Sequence, residues 1–120
     1  MIKIVIYEDS DKNCIGFNMA GHAGYAEEGE DIVCAAVSSI ALNTINSIET
    51  FTEDKFEYTV NENDAVINYI LKGAKSSESL LLLKSFVLGL NGLYENYSEF
   101  IKIAFKEVDH VKYEHSVFCS

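Results

Sequence analysis

His22 and Cys34 are the two residues of this sequence whose types and spacing could do chemistry together. They stand in the stretch GHAGYAEEGEDIVCAAVS, residues 21–38, with eleven residues between them. A neutral imidazole can take the proton of a thiol, and the resulting thiolate is a strong nucleophile. The pair is therefore a candidate for a general base and a nucleophile.

Cys34 lies where the sequence predicts the start of a helix. From Asp31 onward, apolar side chains recur at three- and four-residue spacing, which indicates an amphipathic helix. Free backbone N–H groups and the positive end of the helix dipole favour a thiolate in a first turn. The alternative is an inert core thiol, because cysteine is often buried and the run IVCAAVSSIA is apolar. The spacing alone leaves both interpretations open.

His22 lies on a glycine-bearing segment that leads out of a predicted strand. Its ring either reaches the helix start as a general base or is a surface imidazole without a role, because proximity in sequence does not establish geometry. Asp31 is expected to cap the helix through its carboxylate, and orienting the imidazole is a compatible second role.

Ser38 and three glycines complete the candidate site. Ser38, one turn beyond the cysteine, either bonds a backbone carbonyl or lies near the reacting groups. Gly21, Gly24 and Gly29 give the intervening loop conformational freedom, which suits a loop that closes on a substrate. The plainer alternative is a surface loop without a role.

A metal centre is the least favoured interpretation of these residues. The stretch offers a thiol, an imidazole and a carboxylate, but the paired short spacings of structural zinc sites are missing. Near the end of the chain, His110, His115 and Cys119 match the spacing of no common zinc finger. We expect neither a metal nor another cofactor.

Composition limits the class of protein. The 120 residues, 48% of them hydrophobic, are enough for one domain with one core. Nine basic against nineteen acidic residues give a formal charge of −10, and the sequence shows no basic cluster, so we expect no direct contact with nucleic acid. An acidic surface favours a basic partner.

The cysteines and the apolar runs indicate the cellular compartment in which we expect the protein. Three cysteines, an odd number, with no secretory signal favour a reducing compartment over a disulfide framework. The apolar run among the first residues is too short for a signal peptide. The longest apolar run, which begins at Ser79, is broken by Lys84 and Asn91. We therefore expect a cytoplasmic protein with no membrane span.

The elements that must position the candidate site follow from hydrophobic periodicity. Strands are predicted over residues 2–7, 14–20, 55–60, 65–71 and 100–108, and helices over 31–52 and from a Ser76 or Ser77 cap to about 96. The first two turns of the first helix are apolar all round and are expected to be deeply buried. The order β-β-α-β-β-α-β predicts a single two-layer α+β domain, with two helices on a mostly antiparallel sheet. Residues 110–120 are expected to be a peripheral tail.

The quoted stretch resembles the signature of the ribosomal-processing cysteine protease Prp family. That signature is a G-H pair, a glycine-bearing loop, and then D-I-V-C-A followed by a serine. Gly21, His22, Asp31, Cys34 and Ser38 match it in order and spacing. The length and the element order up to about residue 107 are also similar to those of the family.

The resemblance implies a cysteine endopeptidase. Cys34 is then the nucleophile, His22 the general base, and Asp31 a supporting residue close by. The substrate implied is the short N-terminal extension of large-subunit ribosomal protein twenty-seven, cut after a hydrophobic segment that ends in aromatic residues. Backbone N–H groups at the helix start, including that of Cys34, are the expected donors to the oxyanion. The family's homodimers imply a homodimer here.

Two other classes of function compete with this reading. A non-enzymatic module that docks its acidic face on ribosomal proteins would have Cys34 as a core thiol, unreactive to alkylation near neutral pH. A redox or metal sensor would bind zinc or form a sulfenic acid at the same cysteine.

Overall fold

Two β-hairpins, each followed by a long helix, and a fifth strand make up the described part of this protein. The computed structural model describes residues 1–21, 29–61, 63 and 66–108. In chain order the elements are β1 (Ile2–Glu8), β2 (Cys14–Ala20), α1 (Glu30–Phe51), β3 (Lys55–Asn61), β4 (Val66–Lys72), α2 (Ser77–Tyr97) and β5 (Ile101–Glu107). The predicted order is confirmed. The expected tail, residues 110–120, lies outside the described residues.

The five strands form one sheet in the order β3-β4-β2-β1-β5. Three of its four pairings are antiparallel, and β5 pairs parallel with β1. The α+β class with a mostly antiparallel sheet is thus confirmed. The chain leaves β2 through α1 and returns through β3 to place β4 beside β2, so the second hairpin extends the sheet on the side away from β5.

The core lies between one face of the sheet and the two helices. Alternate residues of the central strands point into it, as the two-residue period of a strand requires. Its fully buried members include Ile2, Ile4, Ile6, Phe17, Tyr69 and Leu71 from the sheet and Val37, Ala41, Ile48, Leu83 and Leu90 from the helices. Burying one such large side chain stabilises the fold by about 1.5–3 kcal/mol.

The start of α1 is buried on one side only. Val33 and Val37 face the core, but Ile32 is 69% exposed and Ala35 is exposed. The expectation that the first two turns are deeply buried was wrong, because α1 belongs to an outer layer and only one of its faces meets the sheet. By length and composition α1 could also cross a membrane. Its stripe of core residues accounts for that apolar character here.

A polar cluster ties the end of α1 to the start of α2. The Oγ of Ser76 accepts the N–H of Ser79 at 3.1 Å and so caps α2. The Asp54 carboxylate accepts the N–H and the hydroxyl of Ser76, each at 2.8 Å, and Ser79 donates to the Thr52 hydroxyl at 3.3 Å. Hydrogen bonds from Ser79 and Ser76 hold the pKa of Asp54 below its ordinary value. The far end of α1 is therefore anchored independently of its first turn.

Candidate active site

The position of α1 is set by a glycine. Gly29 precedes the helix with φ of 100°, a left-handed conformation that L side chains rarely adopt, and its carbonyl accepts the N–H of Val33 at 3.1 Å. A Cβ on Gly29 would lie 3.5 Å from the ring of Phe100. Asp31 is an exposed residue inside the first turn. The expectation that Asp31 caps the helix was wrong, because Gly29 holds the cap position.

Cys34 is the fifth residue of α1 and half-buried against the core. Since the N–H of Val33 bonds to Gly29, the regular i to i−4 pattern directs the N–H of Cys34 to the carbonyl of Glu30. The expected donation from Cys34 to an oxyanion therefore does not fit this helix. The N–H groups without an intrahelical partner precede Val33.

Glu30 attaches the first turn of α1 to the start of the sheet's strand β1. Its side chain is almost fully buried and forms an ion pair with the amino-terminal ammonium of Met1. This contact joins the beginning of β1 to the beginning of α1. A carboxylate in a first helical turn is also favoured by the helix dipole.

An apolar groove of about 160 Å³ opens beside Cys34. Side chains and backbone from α1, the end of β2 and the facing ends of β3 and β4 line it: Met19, Gly21, Cys34, Ser38, Val60, Asn61, Val66 and Ile67. Ser38 lies one turn from Cys34 on the same wall. An engineered apolar cavity of about 150 Å³ binds benzene, so the groove has room for an aromatic ring.

The structure brings together only part of the predicted site. Cys34, Ser38 and Gly21 meet at the groove, and Gly29 and Asp31 lie at the start of the same helix. His22 and Gly24 lie outside the described residues, as do the three C-terminal candidates for metal ligands, His110, His115 and Cys119.

Sequence reasoning missed the apolar wall of the groove. Met19, Val60 and Ile67 come from three strands, and the register pairs Met19 with Ile67 and Ile67 with Val60. The sequence offered one signal, the alternation of side chains along each strand, because it places all three residues on the helix-facing side of the sheet. Their convergence depended on the order of the strands, which periodicity does not provide.

Cys14, the other thiol in the described chain, has a different environment. It lines a separate pocket of about 260 Å³ at the opposite end of β2, with Glu8, Lys84 and Phe105 among its neighbours. Burial raises the pKa of Cys14 to about 12, and the negative charge of Glu8 acts in the same direction. This thiol is therefore protonated near neutral pH and is a poor nucleophile.

Comparison with known proteins decides the family. The model of the family described as cysteine protease Prp matches residues 1–102. This chain belongs to the cysteine protease Prp family. The ribosomal processing cysteine protease Prp of Staphylococcus aureus is 26% identical over 106 residues, covering 88% of this chain and all of that protein.

Solved Prp structures share the fold. The crystal structure of S. aureus Prp in complex with a substrate peptide has a TM-score of 0.83 at 24% identity, covering 88% of this chain and all of that one. A second S. aureus Prp structure, with a covalently linked product peptide, has a TM-score of 0.78 at 26% identity over the same shares. This chain is thus a cysteine protease with the Prp fold.

Proposed function

We propose that this protein is a cysteine endopeptidase that removes the N-terminal extension of large-subunit ribosomal protein twenty-seven, with Cys34 as nucleophile and His22 as general base. The observation that carries the proposal is the position of Cys34, at the start of α1 and open to an apolar groove. The other described thiol, Cys14, is held protonated. Membership of the Prp family supports the same choice.

The reaction is acyl transfer in two steps. The Cys34 thiolate attacks the scissile carbonyl carbon, and the imidazolium of His22 protonates the leaving amine as the C–N bond breaks. Water then loses a proton to His22 and attacks the thioester, which releases the acid and the thiol. Asp31, exposed in the first turn, supports the ring of His22. The N–H groups of Asp31 and Ile32, which precede the first intrahelical hydrogen bond, are candidate donors to the oxyanion.

The groove supports a substrate with a large apolar residue at the cut. Met19, Val60 and Ile67 offer an apolar wall within reach of the cysteine, and the volume suits one aromatic side chain. The formal charge of −10 favours encounter with a basic ribosomal protein. Specificity would then come from the groove, and charge would act mainly on the rate of association.

Homodimer formation in the cytoplasm belongs to the same proposal. Leu81 and Leu88 lie seven residues apart on α2, and they are 66% and 73% exposed. Large apolar side chains on an outer helix face often mark an interface. The check is light scattering on wild type and on Leu88→Lys: a dimer that the substitution converts to monomer agrees, and a monomeric wild type at every concentration contradicts it.

The test of function uses a synthetic peptide that spans the extension and the start of the mature ribosomal protein. Wild type, His22→Ala and the control His115→Ala are incubated with it, and the products are identified by mass spectrometry. We expect one cut after the aromatic end of the hydrophobic segment, lost only in His22→Ala. No cut of this peptide by the folded wild type would contradict the proposed substrate.

A further inference from the structure

The face of the sheet opposite the helices collects lysines that are far apart in the sequence. In β1 the buried Ile2 and Ile4 flank Lys3, and in β5 the core residues Ile101 and Ile103 flank Lys102. Since successive side chains of a strand point to opposite faces, both lysines lie on the open face. Apolar neighbours interrupt these lysines along the chain, so the sequence shows no basic run.

This open face differs in charge from the rest of the molecule. Strand parity assigns to it five lysines and one acidic residue: Lys3, Lys55, Lys72, Lys102, Lys106 and Glu57. The remaining described residues include three lysines and twelve acidic residues. In a chain of formal charge −10, the described residues therefore present a positive surface.

Three of the lysines form what we call the lysine corner: Lys3, Lys102 and Lys106. Lys3 is directly opposite Lys102, and Lys106 is opposite Tyr7 in the parallel β1–β5 ladder. At about 3.3 Å per residue, Lys102 and Lys106 stand about 13 Å apart along β5. All three are exposed, and none forms an ion pair with a described carboxylate. Elsewhere on the face, Lys72 pairs with Glu57 at 2.9 Å.

Polar groups continue the face from the lysine corner across the sheet. The hydroxyl of Tyr7 donates to Oδ1 of Asn68 at 2.7 Å, and Nδ2 of Asn18 donates to the same oxygen at 3.1 Å. Thr59 is opposite Asn68 on the next strand. The face thus carries polar and cationic groups beside Val5, Val66 and Ile70, and none of the described large apolar side chains that are exposed, which insertion into a bilayer needs, lies on it.

We propose that the open face binds RNA, with the lysine corner contacting phosphates of one strand. Like charges directly opposite on neighbouring strands destabilise a sheet, and Lys3 and Lys102 have no described carboxylate to offset them. An anionic partner removes that repulsion. A nucleic acid strand carries a phosphate every few ångströms, so lysines 13 Å apart meet separate phosphates. The hydroxyl and amide groups beside them suit sugar and phosphate contacts.

This surface is on the other side of the sheet from the groove beside Cys34. RNA on the open face would leave the groove accessible to a peptide, so the two can be bound together. The expectation of no contact with nucleic acid rested on the absence of a basic cluster along the sequence. In the folded sheet, lysines that are distant in the sequence lie on the same face.

The experiment measures binding of a fluorescein-labelled short single-stranded RNA by anisotropy at several salt concentrations. The test variant carries Lys3→Gln, Lys102→Gln and Lys106→Gln. The matched control carries Lys12→Gln, Lys75→Gln and Lys84→Gln, which changes the net charge equally at positions off the open face. We expect the test variant to bind about ten-fold more weakly at low salt, with the salt slope reduced by about 2, and the control to keep most of the wild-type affinity.

Several results would overturn the proposal. The first is that wild type does not bind the RNA at low salt, and the second is that both triple variants lose the same amount of affinity. The third is that polyglutamate competes as strongly as RNA does, which would indicate an acidic polypeptide as the partner. Self-association that only the test variant loses would indicate a second copy of this acidic chain. Thermal melting verifies that both triple variants fold; if the test variant melts early, Lys106→Glu alone must show the weaker binding.

Discussion

Cys14 and Cys34 are both half-buried thiols that pack against the same core, but their surroundings differ in kind. Cys14 begins a central strand, beside the Glu8 carboxylate, and burial raises its pKa to about 12. Cys34 lies near the beginning of a helix and forms part of the wall of an apolar groove. One thiol is held protonated by the fold, and the other has space beside it for a substrate.

The difference shows that burial alone does not separate a structural cysteine from a reactive one. What distinguishes them is the element that carries the thiol and the groups that face it. A strand end beside a carboxylate disfavours the thiolate of Cys14, whereas Cys34 is carried by a helix and borders an apolar groove. The glycines near the two cysteines are also expected to differ in which property of the protein changes when they are replaced.

Replacing each cysteine gives the largest expected contrast. Cys34→Ala removes the nucleophile and should lower the rate of peptide cleavage by at least about 1,000-fold. Cys14→Ala should stay within about three-fold of wild type, because its thiol takes no part in the reaction. The rates are measured on the synthetic peptide by chromatography. Comparable losses in the two variants would remove the distinction.

Gly16, two residues from Cys14, should matter for folding. A Cβ there would lie 2.2 Å from the carbonyl oxygen of Tyr69 and 2.7 Å from the Cα of Ile70, so backbone must shift. We expect Gly16→Ala to lower the free energy of unfolding by about 3 kcal/mol or more. Gly92→Ala is the control, because a Cβ there meets nothing within 4 Å. Urea denaturation measures both, and a Gly16→Ala protein as stable as wild type would refute the close approach.

Gly29, at the start of the helix that carries Cys34, should matter for cleavage as well as stability. Alanine at φ of 100° is strained by about 1–2 kcal/mol, and relieving the strain moves the first turn of α1. Gly73→Ala, at φ of 70°, is the matched control away from α1. Both should lose stability, but only Gly29→Ala should also lower kcat. Equal kcat in the two variants would mean that the cap does not position the nucleophile.

The smallest effect concerns pH and Cys14. Its folded pKa of about 12 lies above the ordinary value of 9.0, so the stability it contributes is full below pH 9 and declines as the pH rises through 12. By about pH 10, wild type should lose about 1 kcal/mol more than Cys14→Ala, relative to neutral pH. Parallel stability profiles for the two proteins would show that Cys14 does not titrate as described.

Local structure was largely predictable from the sequence. The alternation in IKIVIY and CIGFNMA predicted β1 and β2, and the recurrence from Ile32 to Ile48 predicted α1, because these patterns depend on near neighbours. The resemblance in the GHAGYAEEGEDIVCAAVS stretch selected the family that the comparison confirms. The role of His22 remains a prediction.

Features that depend on distant parts of the chain were not predictable. Ile32 was expected to be buried, and its exposure follows from how α1 lies on the sheet. The cap at Gly29 needs a backbone angle that residue types do not reveal. The groove wall formed by Met19, Val60 and Ile67 and the lysine corner both result from the strand order β3-β4-β2-β1-β5.

The central claim is that Cys34 is the reactive thiol, and its most direct test is to determine which cysteine a substrate-like inhibitor modifies. A peptide chloromethyl ketone that ends in phenylalanine is incubated with wild type, and the modified residue is mapped by mass spectrometry while cleavage is followed. We predict a single adduct on Cys34, forming in proportion to the loss of cleavage, with Cys14 unmodified. An adduct on Cys14, or full modification of Cys34 with cleavage intact, would contradict the account.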